Sequence, residues 1–275
     1  MILLVVIPLV AMFILSFLDM DGLSFSGAKF TMGNFAILKD TMYIKAYWNS
    51  FRIAIISTVI CFLIGYPVAY FVAKSNIRNK MGVMMVLLLP MWSNIILRIY
   101  AWEKLFIPNS ILNSIGISLD LLGSEAAIII GTVTTYLPFM ILPIFTVLEK
   151  MNRSLVEASM DLGANRVRTF FKVVFPMSGK GVFSGCVMVF LPAATGFAVP
   201  YRLGAGSINM IGTIIEDKFK MDYDYNLGSL LSIVLVVVVM GVMLIMSKVD
   251  ESGETIIWEN MKSLKKSYDS FMLLQ

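Results

Sequence analysis

Hydrophobic positions in this chain fall into six long runs, residues 1–18, 50–73, 81–97, 126–148, 181–201 and 227–246, with polar segments between them. Each run is near or above the roughly 18 apolar residues that a membrane-crossing helix requires. Six helices are therefore predicted, in an all-α, polytopic membrane bundle. Residues 1–247 would form a single transmembrane domain and 248–275 a cytoplasmic tail. The first run lacks a basic leader and a small-x-small cleavage site, so it reads as a retained helix rather than a removable signal.

Composition agrees with that reading and narrows the chemistry. Apolar residues make up 58% of the 275 positions and charged residues 15%, with a mean hydropathy of +0.84, outside the range of soluble domains. Cys61 and Cys186 both lie inside apolar runs, which argues against a structural disulfide or a metal site. The chain has no histidine, so the commonest general base and zinc ligand is missing. No paired-acid motif or nucleophile constellation replaces it, which argues against a membrane enzyme. The net charge of +4 is modest and is no nucleic-acid signal.

Six spans put both termini on one side and sort the polar segments into two sets. Residues 74–80, 150–180 and the tail from Lys248 hold 13 Lys/Arg. The opposite set, 19–48, 98–125 and 202–226, holds 8 Lys/Arg against 10 Asp/Glu. The positive-inside rule makes the first set, with both termini, cytoplasmic.

One cytoplasmic segment, EASMDLGANRVRTFFKVVFP at 157–176, is far more polar than its surroundings. Ser154 and Glu157 have the S-x-x-E spacing of a capping box, predicting a short helix over about 155–162. Gly163 is the residue best able to adopt the left-handed conformation that ends it. Asn165 can cap a second helix that carries Arg166, Arg168 and Lys172 and finishes near Pro176. Leu155, Val156 and Leu162 give the short helix apolar positions, and Ala158 and Ser159 keep part of its surface shallow. Glu157 and Asp161 stand four residues apart on one face. Singly these features suit any solvated connector; together they make a knob shaped for another protein.

The order Glu157, Ala158, Ser159, three residues, Gly163, nine residues, Val173, one residue, Phe175, Pro176 resembles the EAA loop of ABC importer permeases, E-A-A-x3-G-x9-I-x-L-P. Ser159, Val173 and Phe175 depart from it conservatively. The stretches LLLPMWSNIILRIYAW (87–102), YLPFMILPIFTVLEKM (136–151) and LPAATGFAVPYRLGAG (191–206) are similar to permeases of the spermidine/putrescine importers. These resemblances imply a type I, MetI-like permease fold in a bacterial cytoplasmic membrane, moving polyamines by alternating access. They also imply three kinds of partner: a dimer of ATP-binding cassette subunits, a second homologous permease and an extracytoplasmic substrate-binding protein. The loop at about 150–180 would dock through Glu157, Ala158, Ser159 and Asp161, turn at Gly163 and rejoin the bundle at Pro176. No G-x-x-x-x-G-K-[ST] occurs, and GAGSIN at 204–209 lacks the lysine and the preceding strand. ATP and Mg are therefore expected on the partner ATPase, with no cofactor or metal on this chain.

A polyamine is a flexible polycation, for which aromatic faces and carboxylates make a suitable path. Trp92, Tyr136 and Tyr201, with Asp222 and Asp224 in EDKFKMDYDY, are the candidates. Tyr100 and Trp102 read instead as interfacial anchors. Arg98 and Arg202 would snorkel, or pair with Glu103, Glu125 or the binding protein. Pro67, Pro90, Pro138, Pro143, Pro192 and Pro200 are packing kinks or hinges. The alternatives are a permease of the same architecture for an amino acid, thiamine or ferric ion, or a secondary transporter. The last would want inverted repeats with central ionisable residues, which the spans do not contain.

Overall fold

The computed structural model describes residues 2–20, 29–108 and 120–272. In chain order its α-helices are α1 (Ile2–Ser16), α2 (Thr41–Lys74), α3 (Lys80–Trp92), α4 (Ile95–Phe106), α5 (Glu125–Lys150), α6 (Arg153–Asp161), α7 (Arg166–Thr169), α8 (Phe175–Met177), α9 (Gly179–Thr195), α10 (Ala198–Leu203), α11 (Ile211–Lys220) and α12 (Tyr225–Met272), with a 3-10 helix at Gly33–Lys39 before α2. Among the described residues the one departure from helix and loop is an antiparallel pair of two-residue strands, β1 (Leu18–Asp19) and β2 (Lys29–Phe30).

Three stretches are unbroken helices long and apolar enough to cross a bilayer: α2, α5 and Tyr225–Lys248 of α12. Two of the predicted spans are broken instead. The run at 81–97 is divided into α3 and α4, which meet at 80°. There the Ser93 hydroxyl donates to the Pro90 carbonyl, closing one helix, while the Asn94 side chain accepts from the Ile96 amide at 2.8 Å and starts the next. The run at 181–201 stops at Gly196, whose ψ of 144° is extended, and resumes as α10. Upstream, α9 meets the preceding Arg166–Met177 helix at 61°. As described, α1 has 15 residues, which rise about 22 Å against the ~30 Å hydrocarbon core. The six predicted spans thus correspond to three unbroken helices, two bent pairs and the shorter α1.

The core forms where α2, α5 and α9 pack together, with Cys61, Ala69, Met140, Ile144, Leu148 and Val189 buried among them. Small residues set the α5–α9 separation. A Cβ on Gly181 would lie 2.8 Å from the Pro143 carbonyl oxygen and 3.1 Å from Ile144 Cα, and Gly185 backs onto Met140 in the same way. The first helix packs on α12. Outward-facing apolar side chains such as Leu63, Phe71, Val237 and Ile245 stay exposed, as a lipid-facing surface requires.

Polar side chains tie the elements together at one end of the bundle. Ser50 of α2 accepts from the Ile211 amide at 2.8 Å, and Tyr47 donates to the Leu231 carbonyl at 2.7 Å. Arg52, the charge within the second apolar run, pairs with Glu125 at the start of α5.

Candidate functional site

At the other end, the polar loop after α5 is built from local caps. Asn152 begins α6, its side chain accepting from the Ser154 amide at 3.0 Å. This corrects the expected capping box: Ser154 is inside the helix, and Glu157 is left free of a capping duty. The helix ends where the Leu162 and Gly163 amides donate to the Ala158 and Met160 carbonyls and the Ala164 amide to Ser159. Gly163 sits at φ +82°, with nothing within 4 Å of where a Cβ would stand. Its requirement for glycine is therefore conformational and not steric. Asn165 accepts from the Arg168 amide at 2.8 Å and starts the return helix.

That return helix runs to Met177 through a π-helical turn at Phe170–Val174. Phe170 fits edge-on between Tyr66 and Tyr70 of α2, at ring-centre distances of 5.9 and 5.3 Å. Ser178 donates to the Phe175 carbonyl at 2.8 Å, so the buried 2.9 Å contact from Tyr66 is a tyrosine O–H donating to Ser178. Ser159 and Thr169 share a 3.1 Å hydroxyl contact that ties α6 to the return helix. None of α6 is buried. Glu157, Ala158 and Asp161 are exposed, Ser159 and Pro176 are half-buried, and Leu155, Met160 and Leu162 stand in the open. An exposed apolar surface with two carboxylates, on a helix anchored at both ends, has the form of a docking element.

The opposite end holds a cleft of roughly 310 Å³ between α4, α10 and α11. Aromatic faces line it from Tyr100, Phe197 and Tyr201, and charged groups from Arg202, Glu216, Asp217 and Lys220. The Arg202 guanidinium donates to the Tyr100 hydroxyl at 2.6 Å, lies 4.6 Å from that ring's centre and stands 4.0 Å from Glu103. Lys220 pairs with Glu216, and its ammonium is 5.8 Å from the centre of the Phe197 ring. Burial, reinforced by the neighbouring Asp222 and Glu216, raises the Asp217 pKa against the opposing pull of Lys218. A smaller recess beside it contains Tyr136, Pro192 and Gly196 and shares Phe197 and Ala198.

The sequence candidates divide on this geometry. Tyr201 lines the cleft and Tyr136 the adjoining recess, whereas Trp92 lines neither and is 89% exposed at the α3–α4 bend. Asp222 is bound to Lys218 at 2.6 Å, and Asp224 accepts from the Leu227 amide at 3.0 Å, capping α12. The acids that face the cleft are Glu216 and Asp217, earlier in the same stretch. Tyr100, read as an interfacial anchor, is also a cleft residue. Arg202 pairs with Glu103 as expected, while Glu125 goes to Arg52. The missed signal was amphipathic spacing: Glu216 and Lys220 are four apart, so a helix over IIEDKFK puts them on one face.

An apolar helical bundle with three membrane-length helices, an exposed polar loop at one end and an aromatic, charged cleft at the other has the form of a multi-pass membrane transport subunit. Residues 1–248 match the family described as binding-protein-dependent transport system inner membrane component, and the chain belongs to that family. It is 36% identical over 240 residues to the spermidine/putrescine transport system permease protein PotB of Haemophilus influenzae, spanning 85% of this chain and 84% of that one. The PotB of Escherichia coli K12 is 34% identical over 237 residues, 84% of this chain and 86% of the relative. In fold, the chain superposes with a TM-score of 0.72 at 15% identity on a chain of a bacterial ABC transporter involved in the import of the acidic polysaccharide alginate, covering 88% of each. A chain of the MetNI methionine ABC transporter gives 0.60 at 17% identity, over 77% of this chain and 96% of that one. The fold is that of the type I ABC importer permeases, and the chain is an inner-membrane transport subunit, not an enzyme.

Proposed function

We propose that this subunit translocates polyamines, spermidine and putrescine, by alternating access driven by ATP hydrolysis on a separate dimer of ATP-binding cassette subunits, which carry the ATP and Mg. A second homologous permease completes the pathway, and an extracytoplasmic binding protein delivers cargo to the cleft end. Both termini and the α6 loop lie on the cytoplasmic side, where α6 inserts into a groove of the ATPase and Glu157 pairs with a basic residue. The observation that carries the cargo assignment is identity of 34–36% across about 85% of the chain with two PotB permeases. The cleft supports it chemically, because aromatic faces beside Glu216 and Asp217 suit an organic polycation.

The test is uptake of labelled spermidine by cells carrying the whole importer, wild type against Glu157→Lys at matched membrane abundance, with an amino acid as control cargo. Spermidine uptake abolished by the substitution is expected. A wild type that moves the amino acid and no spermidine would remove the polyamine assignment; unchanged uptake in the variant would remove the docking role of α6.

A further inference from the structure

Two cations of the chain already occupy the aromatic and acidic surfaces of the cleft, and they are held very differently. Arg202 is fixed by a 2.6 Å hydrogen bond to Tyr100, by that ring's face and by Glu103. Lys220 is tethered to Glu216 one helical turn away, with its ammonium toward Phe197, and its side chain is 70% exposed. An exposed i,i+4 ion pair of this sort contributes little and exchanges partners readily. A lysine ends in a primary ammonium on a four-carbon stem, the same group that terminates a linear aliphatic diamine.

We propose that Lys220 is a built-in competitor, whose ammonium holds the position between Glu216 and Phe197 that a cargo ammonium takes on binding. This rests on the polyamine reading above and adds to it the identity of one cargo position and the group displaced there. Among the cleft-lining side chains two acids, Glu216 and Asp217, face two cations, Lys220 and Arg202. Arg202 is already matched by Glu103, so swinging Lys220 toward solvent leaves the Glu216 carboxylate without its cation. A cationic cargo matches it, while a neutral solute gains nothing by displacing a lysine. Lys220 thus sets a charge requirement for occupancy and keeps isolated small cations from holding the site, since they must compete with a tethered ammonium at high effective concentration.

The test is equilibrium binding of radiolabelled spermidine to the purified importer in nanodiscs with the binding protein omitted, alongside uptake by the complete system. Lys220→Gln should lower the spermidine Kd by about threefold, the scale of a weak exposed pair, and Lys220→Arg should keep it near wild type. If Lys220→Gln does not reach the membrane, Lys220→Met supplies the same loss of charge. A Kd that is unchanged or raised in the neutral variant, or spermidine uptake with no measurable binding to the wild-type importer, overturns the competitor role and leaves the polyamine assignment standing. Failure of both binding and uptake of spermidine, with another cargo transported, overturns the polyamine reading and this proposal with it.

Discussion

Replacing Gly163 isolates the backbone conformation of the α6 loop from its packing. The residue stands at φ +82° with open space around its missing side chain, so an added methyl meets no neighbour. The whole cost of Gly163→Ala is then the left-handed conformation, about 1–2 kcal/mol for an ordinary L-residue. That corresponds to a roughly 5- to 30-fold loss in the population of the native turn relative to competing loop geometries. Asparagine tolerates the same conformation better, so Gly163→Asn should lie between alanine and wild type. The bundle itself loses no contact, and the melting temperature of the purified importer should stay near wild type. Uptake and ATP hydrolysis at matched abundance are the assays, and both activities should order as Gly, Asn, Ala, with the loss larger in uptake. Equal defects in Asn and Ala, or full uptake by Ala, would refute the argument that the left-handed turn positions α6.

At Gly181 the opposite balance holds, because a Cβ would press on the Pro143 carbonyl and Ile144 Cα, which are backbone atoms. Gly181→Ala should destabilise the bundle by about 1–3 kcal/mol, seen as a lower melting temperature and yield with activity per folded molecule largely kept; an unchanged melting temperature would mean that α5 and α9 can separate freely. Asp217 predicts a pH effect: its raised pKa means the folded protein holds that proton more tightly, so the carboxylate charge in the cleft is lost at milder acidity than for an exposed acid. Spermidine binding should weaken as pH falls through that raised value, and Asp217→Asn should remove this limb of the profile; superimposable profiles would exclude Asp217 from cargo binding. The linked stability has the opposite sense, being present below the unfolded carboxylate pKa and lost as pH rises through the folded one, so the asparagine variant should be no less stable at neutral pH.

Most of the helices were legible because lipid imposes long apolar runs, and a run of 20 such residues leaves few alternatives to helix. The breaks were not. MWSNIIL reads as continuous span by hydropathy, and only the capping chemistry of Ser93 and Asn94 divides it. Gly196 ends α9 beside a close backbone approach: a Cβ on Gly212 would lie 2.7 Å from the Gly196 carbonyl oxygen, a tertiary contact invisible to any local window. At the loop, the S-x-x-E pattern pointed two residues past the true cap, since Asn152 offers its side chain to the same helix start and wins. The left-handed glycine and the Asn165 cap were readable because each depends on its own short segment. The cleft was the hardest part, because it forms only when α4, α10 and α11 converge from distant stretches of sequence.

The 61° bend at Ser178 is a joint between two parts of the bundle. On one side lies the segment that carries α6, and on the other the 17 residues of α9, about 26 Å of helix. The pivot is gripped by Tyr66, whose hydroxyl holds Ser178 and whose ring meets Phe170 and Phe175. These contacts are edge-on at Phe170 and tilted at Phe175, so any rotation at the bend has to exchange one aromatic geometry for another. A turn of about 10° there would carry the far tip of α9, next to the cleft, through roughly 4–5 Å by the helix rise alone, enough to open or shut a passage the width of an alkyl chain.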